Sequence, residues 1–191
     1  MKRLALLPIA ALALAACSDP ATGPAPEGLR PVFAVSPGLY TGTIFDENAP
    51  SGTHLQTGSI ECRVLPNLSV RCSQSIFELA GVGHTNVDVL LTADYAAIVD
   101  CFNPGDPSNR NNPIESHETT FSAEKEATIA SLKNGRLAVP PQQVDPEAVA
   151  QGCPNPNWEP TIRPGTLELL SFTYTVTFEG YENPYIVITQ P

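Results

Sequence analysis

The side chains with the widest chemistry in this 191-residue chain are its five cysteines. Thiolates bind zinc, act as nucleophiles and form disulfides, and the spacing between cysteines helps to separate these uses. The sequence has no Cys-x-x-Cys and no closely spaced Cys/His pair, which argues against a zinc site. The cysteines are Cys17, Cys62, Cys72, Cys101 and Cys153.

The first of these cysteines follows a segment with the features of a secretory leader. Lys2 and Arg3 precede an apolar stretch at 4–16 that only Pro8 interrupts, and the stretch ends in small residues. A basic start, a short apolar run and small residues before a cleavage point are typical of a signal peptide. The run is shorter than the roughly 20 residues that a membrane-spanning helix needs.

Leu14-Ala15-Ala16-Cys17 resembles the lipobox of bacterial lipoproteins. The resemblance implies diacylglycerol in thioether linkage on Cys17, cleavage before this residue and N-acylation. Two or three acyl chains anchor a protein effectively permanently, whereas one anchors it only marginally. Ser18, rather than an aspartate, follows the cysteine, which favours the outer membrane in a cell with two membranes. The alternative is an ordinary signal peptide in which Cys17 has no special role.

With Cys17 lipidated, four cysteines remain, and in an oxidising compartment they predict two disulfides with three possible pairings. Runs 60–64 and 68–72 both alternate apolar and polar residues on either side of a Leu-Pro-Asn turn. Folding them about this turn sets Cys62 opposite Cys72, within disulfide reach. Cys101 then pairs with Cys153. The same register places Arg63 opposite Arg71, at a small cost on an exposed face.

Motifs of known enzymes are nearly absent. The sequence has no Gly-x-Ser-x-Gly, His-Glu-x-x-His, phosphate loop or dinucleotide fingerprint. Ser122 and Lys125 match the bare Ser-x-x-Lys of penicillin-recognising enzymes, but the companion motifs of that family are missing. His54, His84 and His117 lie far apart, each in an expected loop or edge. The sequence therefore predicts no catalytic residues, no metal ligands and no cofactor.

Two further features leave alternatives open. The loop from Asp100 to Asn112 is rich in oxygen ligands that suit calcium, but it matches no known calcium loop and Arg110 lies among them. Asn, Asp and Pro are also the ordinary residues of loops. The single tryptophan, Trp158, is either a platform for stacking a sugar ring or a side chain packed on the disulfide of Cys153.

The charge balance narrows the class of partner. Removing residues 1–16 takes away Lys2 and Arg3 and leaves 175 residues with eight basic and twenty acidic side chains, a net charge of −12. This balance argues against nucleic acid, whose phosphates require a basic surface. It also argues against charge-driven docking on anionic lipid. The simplest role of the charge is solubility.

The chain divides into a leader at 1–16, a lipidated N-terminus and flexible linker at 17–37, and one domain at 38–191. The linker is rich in Pro, Ala and Gly, with a short apolar run at 32–35 that is either a strand or part of the linker. Its length and composition suit a tether. The mature length is enough for a single domain with its own core.

Within the domain, period-two alternation predicts strands and few helices. The clearest strand is 171–178, where aromatic and apolar residues alternate with Ser and Thr. Segment 116–131 fits helix or strand, although an Asn-Gly turn at 134–135 predicts that 127–132 pairs with 136–139. One short helix is expected at 145–150, with Asp145 as its N-cap. Further strands are expected at 39–45, 75–79, 86–92, 93–102 and 185–189.

Eight to ten short strands without strand–helix alternation predict an all-β, immunoglobulin-like antiparallel β-sandwich. Segments 80–87, 101–105 and 153–158 resemble those of uncharacterised secreted β-sandwich proteins of bacteria, over roughly 58–178. The resemblance implies a fold and no activity. We therefore expect a lipid-anchored, non-catalytic binding or structural module. The alternatives are a carbohydrate- or calcium-binding module and, less favoured, a hydrolase with a nucleophile and base or two facing carboxylates.

Overall fold

The computed structural model describes residues 34–105, 112–146 and 152–191, which form an all-β domain. Apart from one turn of 3-10 helix at Asp46–Asn48 and a 3-10 conformation at Pro146, the regular elements in these ranges are strands. They are β1 Gly38–Thr41, β2 Thr43–Ile44, β3 His54–Thr57, β4 Glu61–Val64, β5 Val70–Cys72, β6 Phe77–Ala80, β7 Val87–Phe102, β8 Glu115–Ile129, β9 Arg136–Val139, β10 Gln142–Val144, β11 Glu159–Ile162, β12 Glu168–Phe178 and β13 Ile186–Gln190.

The strand pairs are antiparallel and form three sheets. The large sheet is built on β7, which pairs with β8 along one edge and with β12 and then β11 along the other. It continues from β12 through β13 to β2. A four-stranded sheet has the order β1-β4-β5-β10, and a three-stranded sheet has the order β3-β6-β9. The prediction of an antiparallel β-sandwich is confirmed, with several short edge strands beyond the eight to ten expected.

The core lies against the inner faces of β7 and β12, because apolar residues occupy every second position of both strands. On β12 the predicted stripe from Phe172 to Phe178 is buried, and the Thr residues between its members face outward and are half-buried. On β7 the odd-numbered residues from Val87 to Cys101 are all buried. Each fully buried large apolar side chain contributes about 1.5–3 kcal/mol, so these two strands supply much of the hydrophobic stabilisation.

The structure corrects the division of residues 86–102 into two strands. β7 is one continuous strand of 16 residues. Asp94 and Asp100 look like strand boundaries in the sequence, but both occupy even-numbered positions that face away from the core. The period of two therefore continues unbroken through the segment, and the aspartates belong to the outer face.

The structure also corrects the predicted pairing of 127–132 with 136–139. The Asn-Gly turn is present, because the Leu132 amide donates to the Arg136 carbonyl oxygen at 2.7 Å and Gly135 has φ of 72°. The chain then changes sheets. β8 pairs with β7 up to Ile129, whereas β9 pairs with β6. Segment 116–131, which fitted helix or strand, lies mostly in β8.

The domain begins earlier than predicted, and most of the helix predicted at 145–150 lies outside the described residues. The first core contact of the described residues is made by Val35, which is buried and donates its amide to the Leu169 carbonyl oxygen at 2.7 Å. This contact precedes the expected start of the domain at residue 38. The helix expected at 145–150 falls mainly outside the described residues. Asp145 itself accepts hydrogen bonds from the Ser69 hydroxyl and the Gln143 amide.

Candidate functional site

The outer face of the large sheet carries a regular row of carboxylates. Three aspartates lie on this face of β7, six residues apart, and each faces a hydroxyl residue of β8 in the strand register. Each carboxylate accepts a hydrogen bond of 2.6 or 2.7 Å from that hydroxyl. We call these three pairs the aspartate row. The pairs are Asp88 with Thr128, Asp94 with Ser122, and Asp100 with Ser116.

The centre of the aspartate row receives hydrogen bonds from both neighbouring strands. Ser122 of β8 donates to Oδ1 of Asp94 at 2.6 Å, and Ser171 of β12 donates to Oδ2 at 2.7 Å. The Asp94 side chain remains exposed, and no basic residue of the described ranges forms an ion pair with it. Both hydroxyl oxygens and the carboxylate keep lone pairs that a ligand could use.

A shallow depression of about 480 Å³ opens beside Asp94. Asp94, Ser122 and Ser171 form its polar wall, and Leu170 and Pro191 contribute apolar surface. Phe121 also borders the depression, but its ring stacks on buried Tyr95 at the core face of the sheet, with 5.5 Å between the ring centroids. The β7–β12 register shifts between Leu169 and Ser171, so Leu170 is the extra residue of a β-bulge. Bulges redirect side chains at the edges of binding sites. The depression therefore combines hydrogen-bond acceptors with an apolar surface, a combination suited to a polyhydroxylated ligand.

One end of the aspartate row is an ion pair. Arg163 donates to both carboxylate oxygens of Asp100, at 2.6 and 3.1 Å, and also to the Ser116 hydroxyl at 2.9 Å. The hydrogen bonds from the Arg163 guanidinium lower the pKa of the Asp100 carboxyl, and burial opposes this effect. The Asp100 side chain is 12% exposed. Its oxygens are thus committed to Arg163 and Ser116, which removes one ligand from the calcium alternative.

The remaining calcium candidates give little support to a metal site. Asn103 uses its side-chain oxygen to accept the Gly105 amide at 3.0 Å, as in an ordinary Asx turn. Residues 106–111 of the candidate loop lie outside the described ranges. Within those ranges, no group of three His, Cys, Asp or Glu side chains is placed to hold a metal ion.

Both predicted disulfides are present. Cys62 of β4 lies directly opposite Cys72 of β5, and the neighbouring register pairs Arg63 with Arg71, as the alternation of the two runs predicted. Cys101, near the end of β7, is bonded to Cys153 in the segment before β11. The second bridge holds this segment beside the Asp100 end of the aspartate row.

The other sequence candidates are not brought together. Ser122 and Lys125 are three residues apart in β8, so their side chains point to opposite faces of the sheet. His54 Nδ1 lies 2.9 Å from the Gly52 carbonyl oxygen, His84 is exposed, and His117 lies on β8 opposite Val99. Trp158 is half-buried in a turn closed by its amide and the Asn155 carbonyl oxygen.

The aspartate row was not predicted from the sequence. Its signal is the six-residue spacing of Asp88, Asp94 and Asp100, which is matched by the same spacing of hydroxyl residues in 116–128. The two spacings become meaningful only when β7 and β8 are known to pair. That pairing was missed because 116–131 was ambiguous and 127–132 was assigned to another partner.

Comparisons with family models, with curated proteins and with solved structures found no match to this chain. The part of the chain that the structure describes contains no helix with the length and hydropathy needed to cross a membrane.

Proposed function

We propose that this protein is a cell-envelope lipoprotein whose β-sandwich is a non-catalytic binding module held at the membrane by lipid on Cys17. The leader, Leu14-Ala15-Ala16-Cys17 and the linker at 17–37 support the anchor. The Cys62–Cys72 and Cys101–Cys153 disulfides fit an oxidising compartment outside the cytoplasm. Ser18 directly after Cys17 favours the outer membrane where two membranes exist.

The observation that carries the binding role is the exposed outer face of the large sheet. Polar side chains on this face are held in fixed positions by cross-strand hydrogen bonds, and strands rather than loops carry them. Rigid placement of polar groups lowers the entropy lost on binding a ligand. The face lacks a hydroxyl paired with a histidine base among the described residues, which favours binding over catalysis.

The anchor is tested by metabolic labelling with an alkyne fatty acid, followed by membrane fractionation. The unsubstituted protein should carry the label and sediment with membranes, and Cys17→Ser should lose both properties. Ser18→Asp is the matched control because it keeps the lipidated thiol. It should keep the label but move towards the inner membrane in a cell with two membranes. A label-free unsubstituted protein, or a Cys17→Ser variant that keeps its label, would contradict the proposal.

A glycan is the ligand class that the depression beside Asp94 favours. A carboxylate and two fixed hydroxyls provide acceptors and donors for sugar hydroxyls, and Leu170 and Pro191 provide an apolar surface for a ring face. The partner would be neutral or cationic, since Asp94 has no ion-pair partner among the described residues.

Binding to an array of oligosaccharides tests this assignment. Asp94→Asn should lower affinity for any glycan bound by about tenfold, because it weakens a charged acceptor. Asp88→Asn is the matched control. It changes the same residue type in the same strand but lies outside the depression, and it should leave affinity unchanged. Equal effects of the two substitutions, or no glycan bound, would exclude the depression as a glycan site.

A further inference from the structure

Two arginines face each other on the outer face of the four-stranded sheet. Arg63 of β4 and Arg71 of β5 are direct register partners, and both are exposed. The next register pair is the Cys62–Cys72 disulfide, which is fully buried on the opposite face. The bridge prevents the two strands from separating or slipping, so it also fixes the backbone positions from which the two arginine side chains project.

This juxtaposition is electrostatically unfavourable on its own. Like charges directly opposite each other in an antiparallel pair destabilise it. Arg136 and Arg163 each have a carboxylate partner, Glu78 at 3.8 Å and Asp100 at 2.6 Å. In the described parts of the chain, neither Arg63 nor Arg71 has such a partner. Arg71 instead donates a hydrogen bond to the backbone carbonyl oxygen of Gln74, at 3.2 Å.

A depression of about 340 Å³ is lined by both Arg63 and Arg71. Gln74 and Leu65 complete its wall, and Glu61 lies at the same surface. Glu61 is within 4 Å of neither guanidinium, so it does not close the site with an ion pair. The volume admits a small group, such as a phosphate with part of the molecule that carries it.

We propose that Arg63 and Arg71 form a binding site for a phosphate monoester. Each guanidinium presents five N–H donors in a planar fork that matches the oxygens of a phosphate. Two cationic forks side by side match a group that carries close to two negative charges at pH 7, as a monoester does. A carboxylate or a phosphodiester carries one charge and balances less of the positive charge of the two arginines, which Glu61 in the lining offsets in part.

The chemistry of the site admits two sources of phosphate, a soluble ester or a lipid headgroup. The soluble ester is favoured, because a net charge of −12 on the mature chain repels an anionic bilayer. Nucleic acid is disfavoured for the same reason, since its backbone is a long array of phosphodiesters. The proposal does not depend on the ligand of the depression beside Asp94, which lies on a different sheet.

The site is tested by NMR of the arginine Nε–H groups in the full-length protein, with three probes. The probes are glycerol 3-phosphate, dihexanoyl phosphatidic acid and dihexanoyl phosphatidylglycerol. The two monoesters should shift the Arg63 and Arg71 signals, and the phosphatidylglycerol diester should shift them far less. Arg136 serves as the internal control, because its partner Glu78 keeps it occupied.

Two variants complete the test. Arg71→Gln should lower the affinity for glycerol 3-phosphate at least about tenfold, because one charged donor group is lost. Arg136→Gln should leave it unchanged. The thermal midpoint of Arg71→Gln should equal or exceed that of the unsubstituted protein, which separates loss of binding from loss of fold. Equal affinity for both monoesters supports a general phosphate site, and tighter binding of phosphatidic acid identifies a headgroup site.

Two outcomes would overturn the proposal. The first is that shifts at Arg63 and Arg71 are no larger than those at Arg136 with either monoester. The second is that the diester binds as tightly as the monoesters, which would show that the second guanidinium adds nothing. Neither outcome would affect the proposed lipid anchor, because none of these measurements depends on Cys17.

Discussion

The outer faces of the large sheet and the four-stranded sheet carry opposite charges, and the charged side chains of the two faces differ in their partners. On the large sheet, Asp94 and Asp100 each accept hydrogen bonds from neighbouring strands, and Asp100 is further neutralised by Arg163. On the four-stranded sheet, Arg63 and Arg71 lie side by side without a carboxylate partner among the described residues. The aspartates therefore link neighbouring strands through hydrogen bonds, whereas the side chains of the two arginines form no ion pair within the described residues.

The largest loss of stability should come from removing the disulfide that lies beside each face. Cys101→Ser with Cys153→Ser should lower the free energy of unfolding by about 4 kcal/mol, because the bridge spans a sequence separation of 52 residues. Cys62→Ser with Cys72→Ser, with a separation of 10, should cost about 3 kcal/mol. Urea unfolding measures both. A larger loss for the shorter loop would show that strain or packing, rather than loop entropy, dominates.

The next largest loss of stability should come from substituting Asp100, at the end of the aspartate row where Arg163 forms an ion pair. Asp100→Asn should lower the free energy of unfolding at pH 7 by about 2 kcal/mol, because a buried charged acceptor is lost. The folded pKa of Asp100 is lowered by Arg163, so its contribution is present above the unfolded pKa of about 3.9. It is lost as pH falls through the lower folded pKa.

Urea unfolding of both proteins across this acidic range measures the pH dependence. The difference between the unsubstituted protein and Asp100→Asn should be constant from neutral pH down to about pH 4 and should shrink below it. A difference that stays constant under strongly acidic conditions would show that the ion pair with Arg163 is not its source.

A smaller difference in stability is expected between substitutions at Asp94 and at Asp88. Asp94 accepts hydrogen bonds from Ser122 and Ser171, whereas Asp88 accepts one from Thr128. Asp94→Ala should therefore cost about 1 kcal/mol more than Asp88→Ala, the typical contribution of one hydrogen bond. Thermal unfolding of both variants checks the difference. Equal costs would mean that the second hydroxyl contributes nothing to the fold.

The smallest expected change is a gain in stability. Arg71→Gln should raise the free energy of unfolding by about 0.5 kcal/mol, because it removes the repulsion between two opposed cations. Arg136→Gln, which loses the exposed pair with Glu78, should leave stability unchanged or slightly lower. The gain from Arg71→Gln should decrease in high salt, where the repulsion is screened. A loss of stability would show that Arg71 serves the fold rather than a ligand.

Much of the fold could be predicted because its signals are local. The hairpin of β4 and β5 was predicted to the residue, since both runs alternate about one short turn and place Cys62 opposite Cys72. The stripe on β12 was equally clear. The alternation of Phe, Tyr and Val with Ser and Thr leaves one face for the core.

The rest depended on contacts between distant segments. β9 pairs with β6, some sixty residues earlier, and no local signal opposes the more obvious hairpin with the end of β8. The aspartate row depends in the same way on the pairing of β7 with β8. In the sequence Asp94 resembles the edge of a strand, because the hydroxyls that donate to it, those of Ser122 and Ser171, lie in other strands.

The two disulfides also limit how far the domain could be stretched by a pull on the chain that precedes β1. Tension from the N-terminal side would enter at Val35 and β1, where hydrogen bonds and the packing of Val35 and Tyr40 resist it without a covalent cross-link. The Cys62–Cys72 bridge stops the extension of the segment it closes, and the Cys101–Cys153 bridge withholds a further 52 residues. At about 3.5 Å per extended residue, the second segment alone would span roughly 180 Å. A domain pulled in this way would yield at its first strand, and the segments closed by the two bridges would not lengthen it.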